Sequence, residues 1–441
     1  MPRATLTRWA GVWLLRVPDF GGLIIAAPSS GSGKTTITLG LLRALRLRGV
    51  PVRSAKSGPD YIDPAFHAAA SGVDCVNLDA WAMAPDRIRA LASGRGLLVI
   101  EGAMGLFDGA PPDGRGSTAD LARLLGLPVV LVIDCARMAQ SVAAIATGFS
   151  NHDKAIRIEA VILNNVGSAR HEAMLRAALA PTGVQVLGAI PRQPDLAQPS
   201  RHLGLVQAAE RPGLEEFLAH AGELAEAALD IDGLLTLAAT ARPVFADGHT
   251  PTAPAQHIAV ARDIAFTFAY PHLLTDWRQA GAEISFFSPL ADDPVPKADL
   301  IYLPGGYPEL HAGRIATASQ FMQSLRNASQ YSEIYGECGG YMVLGTGLID
   351  AAGQRHEMAG LLAVETTIAT RKLHLGYRHL HATVGPFAGQ WNGHEFHYAN
   401  TVQAKGEPLF AATDAEGAEL DPMGLRHGRV CGSFAHLIDR A

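Results

Sequence analysis

Two short stretches near opposite ends of the chain place reactive residue types at useful spacings. Ala27–Thr36 reads APSSGSGKTT, and Tyr335–Tyr341 reads YGECGGY, with His436 following in CGSFAHL. In the first, backbone N–H groups of Gly31, Ser32, Gly33 and Lys34 can wrap phosphates. The Lys34 ammonium can reach the outer phosphates, Thr35 can offer its hydroxyl to Mg2+, and Thr36 leads into a helix. The full phosphate-loop pattern opens on glycine, whereas this chain has Pro28 there. In the second stretch, Cys338 between glycines at a strand-to-helix turn has the form of a nucleophile elbow, and a helix start favours its thiolate. Leu303–Leu310, LPGGYPEL, supplies a Gly-Gly turn after another strand. N–H groups of Gly306 and Gly339 are candidates for an oxyanion hole, and His436 for the base.

Carboxylates collect around the phosphate loop. Lys56–Pro64, KSGPDYIDP, and Glu101–Gly109, EGAMGLFDG, each follow a strand directly. Parallel sheets bind ligands at their carboxyl ends, so Lys56, Asp60, Asp63, Glu101 and Asp108 converge on one edge. Four carboxylates beside bound phosphates repel one another unless a cation neutralises them, which favours Asp60 and Glu101 with Thr35 as Mg2+ ligands. Asp63 before Pro64 and Asp108 before Gly109 could instead cap turns. Asn164, at the end of a later strand with Asn165 and Gly167, could meet an adenine edge, an amide being both donor and acceptor, or serve the turn.

The elements that must position these groups are legible as a pattern. Apolar runs at Leu23–Ala27, Val52–Ala55, Leu97–Ile100, Val129–Ile133, Ala160–Leu163 and Val184–Leu187 alternate with helical periods such as Thr35–Arg48. That alternation predicts an α/β domain with a parallel sheet covered on both faces. A proline-rich polar stretch at 241–256 reads as a linker. Alternation resumes at His257–Ala261, Glu283–Phe287, Leu300–Leu303 and Glu333–Tyr335 and gives way to a strand-rich segment around His374–Val402. The expected organisation is an N-terminal extension at 1–21, a phosphate-loop domain at 22–240, the linker, and a second α/β domain at 257–441.

Composition bounds the partners. The chain has 441 residues, 48% of them hydrophobic, and a formal net charge of −6. This points away from nucleic acid and membrane surfaces. Runs such as Leu127–Ile133 are too short to span a bilayer. Four cysteines without C-x-x-C spacing make neither a disulfide framework nor a zinc site, and fit a reducing cytoplasm. Trp9–Leu15 is too short for a signal peptide.

Taken in order, SSGSGKTT, KSGPDYIDP, EGAMGLFDG, LPGGYPEL, YGECGGYMVLG, GHEFHYAN (Gly393–Asn400) and GSFAHL (Gly432–Leu437) resemble the cobyrinic or hydrogenobyrinic acid a,c-diamide synthases. These are glutamine-dependent amidotransferases of vitamin B12 biosynthesis. The resemblance implies a phosphate-loop synthetase domain like dethiobiotin synthetase, followed by a class I glutamine amidotransferase domain of flavodoxin-like α/β type. It implies ATP and Mg2+ at Lys34, Thr35, Asp60 and Glu101, substrate or intermediate contacts at Asp63 and Asp108, and glutamine attack by Cys338 with His436. L-glutamine and a tetrapyrrole carboxylate would be the substrates, and a homodimer is compatible with the family. Class I glutaminases usually carry a glutamate two residues after the histidine, where this chain has Ile438. The expectation is therefore a Cys–His dyad, with Asp439 or Glu395 as candidates to orient His436. Alternatives are the same chemistry on another tetrapyrrole such as nickel sirohydrochlorin, a partition-type ATPase, or a cysteine hydrolase with a vestigial nucleotide domain.

Overall fold

The computed structural model describes residues 7–9, 12–14, 20–193, 200–201, 204–205, 207–241 and 250–441. Half of the expected linker, residues 242–249, lies outside the described residues, as does much of the expected extension. Within the latter, Thr7–Trp9 pairs antiparallel with Val12–Leu14. The chain divides into two compact units, with the main division after residue 249. No helix of the described residues is long and apolar enough to cross a membrane.

The first unit is built on seven strands: β1 (Phe20–Ala26), β2 (Val52–Ser57), β3 (Val76–Leu78), β4 (Gly96–Glu101), β5 (Val129–Asp134), β6 (Ile158–Val166) and β7 (Gln185–Pro191). They lie side by side in the order β3-β2-β4-β1-β5-β6-β7, every pair parallel. All six residues of β4 are buried, as a strand covered by helices on both faces requires. This explains why the strands read as unbroken apolar runs. Helix α1 (Lys34–Leu47) follows β1 and buries Ile37, Leu39, Leu41, Leu42 and Leu45 against the sheet. α2 (Asp63–Ser71) follows β2 with proline in its first turn, where the missing N–H costs nothing. α3 (Leu214–Ala228) packs on α1, and the Arg43 guanidinium pairs with Glu215 between them.

The sheet order reverses direction at β1, which has β4 on one side and β5 on the other. Connections leave in opposite senses there, opening a crevice at the carboxyl edge where ligands bind. Register completes the placement: Lys56 on β2 stands opposite Glu101 on β4, and Asp134 on β5 opposite Asn164 on β6.

The second unit holds strands β8 (His257–Ala261), β9 (Glu283–Phe287), β10 (Leu300–Leu303) and β11 (Glu333–Glu337), then helix α4 (Gly339–Leu344). After it come β12 (His374–Ala382), β13 (Gly389–His397), β14 (Phe410–Asp414), β15 (Glu419–Met423), β16 (Leu425–His427), β17 (Val430–Ser433) and β18 (His436–Arg440). One sheet runs β9-β8-β10-β11-β17-β16, parallel except for its last pair. The strand-rich tail resolves into an antiparallel sheet, β15-β14-β12-β13-β18. Since β17 belongs to the first sheet and β18 to the second, the turn at Phe434–Ala435 carries the chain between sheets and delivers His436 beside the end of β11.

Candidate functional site

In the first unit the loop after β1 turns through Gly31 and Gly33, both in the left-handed region (φ 79° and 89°). Gly33 is required on two counts. Its φ is one that L side chains avoid, and a Cβ there would stand 2.2 Å from Asn164 Nδ2. The Lys34 ammonium folds back over the loop and donates to the carbonyls of Met104 (2.6 Å) and Ser29 (3.3 Å). Burial lowers its pKa, partly opposed by Glu101. A cavity of about 490 Å³ borders the loop, lined by Gly31, Thr36, Asn164, Ile190 and Leu224 among others.

Glu101 is the hub of the carboxyl edge and is wholly buried. One oxygen accepts from the Thr35 hydroxyl (2.7 Å) and the Lys56 ammonium (2.8 Å). The other accepts from His67 Nε2 (2.6 Å). Burial alone would raise its pKa, but Lys56 and His67 outweigh that and hold the carboxyl well below its usual range. The same logic runs in reverse for His67, where burial is overcome by Cys75 and Glu101 and the imidazole is pushed up to about 10. Lys56 also donates to Asp63 (2.6 Å), and its pKa is raised because Glu101 and Asp63 outweigh burial. Burial and the neighbouring Asp60 raise the Asp63 carboxyl to about 7, against the pull of Lys56.

The two aspartates of KSGPDYIDP divide between the turn and the buried network. Asp60 does the capping: its Oδ1 accepts from the backbone N–H groups of Ile62 (2.7 Å) and Asp63 (3.1 Å). Asp63 turns inward to Lys56. Asp108 also serves a turn, accepting from Gly105 N at 2.9 Å. Asn164 gives one amide N–H to the Ser32 carbonyl (2.9 Å), which braces the loop, and also lines the cavity beside it. Thr35 and Glu101 meet directly, and Asp60 is linked to them through Lys56, 4.0 Å from its second oxygen and 2.8 Å from Glu101. All three carry the hard oxygen donors that Mg2+ takes. His67 is a member of this network that the sequence reading missed. Its signal was spacing, since residues 63 and 67 share a face on a helix.

In the second unit Cys338 closes β11 with φ 49° and ψ −104°, a backbone conformation that costs a non-glycine residue about 1–3 kcal/mol and concentrates at active sites. Its N–H donates to Ser433 O on β17 (2.8 Å), which holds the turn. The Cys338 side chain is hydrogen-bonded to His436. The LPGG turn packs directly on this pair: a Cβ on Gly305 would stand 2.5 Å from His436 Cε1 and 3.3 Å from Cys338 Cβ. Gly306 and Gly339 are adjacent, the Cβ position of Gly339 lying 3.2 Å from Gly306 N.

His436 does not rest on either expected acid. Its Nδ1 donates to Glu337 Oε1 at 3.1 Å. Glu337 Oε2 accepts from Leu437 N (3.1 Å), and the Tyr302 hydroxyl donates to Oε1 (3.1 Å). Glu395 is occupied by Arg378 and His397, each at 2.8 Å, and Asp439 accepts from the N–H of Arg440. The dyad expectation is thus corrected to a Cys–His–Glu arrangement. Burial would lower the His436 pKa, but Cys338 and Glu337 override it and lift it to about 10. His394 lies 5.6 Å from His436 between ring centroids, and burial followed by the His436 charge holds it well below the usual histidine value. The missed signal for Glu337 was a charged residue ending a strand next to the nucleophile.

One further cluster, His374, Glu395 and His397, brings ligand atoms within 4.8 Å of one another. The two imidazoles stack at 4.6 Å with planes 9° apart. His374 Nε2 meets Asn400 Oδ1 (3.1 Å) and His397 Nε2 meets Glu395 Oε1 (2.8 Å), so the cluster is closed by its own hydrogen bonds.

Comparison with known proteins agrees with this division. Residues 23–206 match the model of the CobQ/CobB/MinD/ParA nucleotide binding domain, and residues 257–440 match the CobB/CobQ-like glutamine amidotransferase domain. Hydrogenobyrinate a,c-diamide synthase of Brucella abortus is 59% identical over 95% of this chain and 98% of that protein. The enzymes of that name from a Sinorhizobium species (54%, over 95% of this chain and 99% of that protein) and Rhodobacter capsulatus (53%, over 95% and 98%) are also similar. Among solved structures, chloroplast FtsY from Physcomitrella patens aligns with a TM-score of 0.30 and 16% identity over 50% of this chain and 68% of that one, too slight a likeness to carry an argument. On the strength of both domain matches and of relatives matched along nearly their whole length, the chain belongs to the hydrogenobyrinate a,c-diamide synthase family, glutamine-dependent carbon–nitrogen ligases with a nucleotide-binding domain.

Proposed function

We propose that this chain amidates the a and c side-chain carboxylates of hydrogenobyrinic or cobyrinic acid, using ATP and the amide nitrogen of glutamine. A carboxylate is a poor acyl donor because its leaving group would be oxide. Transfer of the γ-phosphate makes it an acyl phosphate and releases ADP; ammonia then attacks the carbonyl carbon and phosphate leaves. Lys34 and the loop N–H groups hold the phosphates, with Thr36 and Lys56 beside them, and Asn164 keeps the loop in shape. Thr35, Glu101 and Asp60 would hold Mg2+, which neutralises phosphate charge when bound. Asp63 and Asp108 face the same edge and are assigned to the substrate or its intermediate.

Ammonia comes from the second unit. The Cys338 thiolate attacks the glutamine carboxamide, His436 gives its proton to the departing ammonia, and water hydrolyses the thioester to glutamate. N–H groups of Gly306 and Gly339 would stabilise the tetrahedral oxyanion. Supporting this most directly is the bond between Cys338 and His436, with Gly305 packed against both. A partition-type ATPase would leave that arrangement without a use.

Replacing the nucleophile tests the assignment. Cys338→Ala is expected to abolish glutamine-dependent amidation while retaining amidation driven by added ammonium. Lys34→Ala should stop synthesis from either nitrogen source. Loss of both activities in Cys338→Ala would contradict two separable sites.

A further inference from the structure

We propose that Glu337 is the positioning carboxylate of the glutaminase site, taking the part that class I enzymes usually give to a glutamate two residues after the histidine. In this chain that position is Ile438, an apolar and fully buried side chain. Glu337 reaches the same imidazole from the opposite side of the sequence. It ends β11 immediately before the nucleophile, and the sharp turn at Cys338 lets two neighbours engage one imidazole.

A carboxylate only 1% exposed at the end of a buried strand is costly unless its oxygens are satisfied. Here both are: Tyr302 and His436 Nδ1 meet Oε1, and Leu437 N meets Oε2. With Nδ1–H fixed on Glu337, the other ring nitrogen is the one left for Cys338, which sets both tautomer and ring orientation. Cys338 and Glu337 favour the imidazolium, and the other titratable ring nearby, His394, lies 5.6 Å away between centroids and is held below the usual histidine value by burial. The backbone N–H of Leu437 ties Glu337 to β18 itself, so the carboxylate holds the strand that carries the histidine as well as its ring.

The inference rests on the glutaminase reading above, and the experiment separates them. In full-length protein, Glu337→Gln keeps the side chain's volume and removes its charge. Glutamine hydrolysis should lose roughly 10²-fold in kcat with the glutamine KM unchanged. Amidation driven by added ammonium should stay at wild-type level, which reports an intact fold. Since Glu337 raises the His436 pKa, its loss should also move the basic limb of the kcat/KM profile to lower pH. Glu337→Asp, which keeps the charge on a shorter arm, should recover part of the lost kcat. A wild-type kcat and an unmoved basic limb in Glu337→Gln would overturn the proposal. So would a raised KM with kcat intact, an aspartate variant no better than glutamine, or joint loss of ammonium-driven synthesis. Wild-type protein without any glutamine hydrolysis would remove the underlying reading itself.

Discussion

Glu101 carries more of the first site than any other side chain, because one buried carboxylate serves Thr35, Lys56 and His67 together. Removing it affects stability as well as chemistry. Glu101→Ala leaves Lys56 with Asp63 as its close partner and His67 without a carboxylate, and breaking a buried pair in this way costs about 3–5 kcal/mol. Urea unfolding of the first unit should show that loss, and synthesis should stop; unchanged stability would mean the network is not load-sharing. At this scale the sequence disclosed which residue types matter better than which of them touch. Lys34, Thr35 and Glu101 follow from motif and strand position. That Asp60 Oδ1 caps the turn while Asp63 meets Lys56 does not, since it depends on which carboxylate the turn leaves facing inward. Glu337 escaped notice because a distant, usual position for the acid drew attention away from the residue beside the nucleophile.

Elements were easier to foresee where burial is complete on both faces. The strands around the phosphate loop and beneath Cys338 announce themselves as apolar runs, and their observed limits differ from the expected ones by a few residues at either end. The β12–β13 region was foreseen only as strand-rich, and β14 and β15 beyond it were not foreseen. An antiparallel strand with one exposed face alternates, and histidine and arginine in β12 and β13 blur that alternation. Close packing between elements was not legible at all, and Gly305 shows its importance. Because a Cβ there would stand 2.5 Å from His436 Cε1, Gly305→Ala must displace the imidazole or the turn. A displacement near 1 Å in a catalytic pair costs about 10²-fold. Glutamine hydrolysis should fall by that order in steady-state assays while ammonium-driven synthesis survives; wild-type hydrolysis in this variant would contradict the packing described.

At the scale of the whole molecule, two compact units each hold a complete set of chemical groups, and neither set alone makes an amide. On the proposed reading the first activates a carboxylate but has no nitrogen source, and the second releases ammonia but has no acceptor. Family membership joins them in one ligase, and the proposed substrate gives them a shared product. Following the nitrogen tests that union most directly. Full-length protein with ATP, Mg2+, hydrogenobyrinic acid and glutamine labelled with nitrogen-15 in its side-chain amide should yield a corrinoid carrying the label in both the a and c amides, measured by mass spectrometry. Glutamine hydrolysis and ATP turnover with no label in the corrinoid would contradict the account.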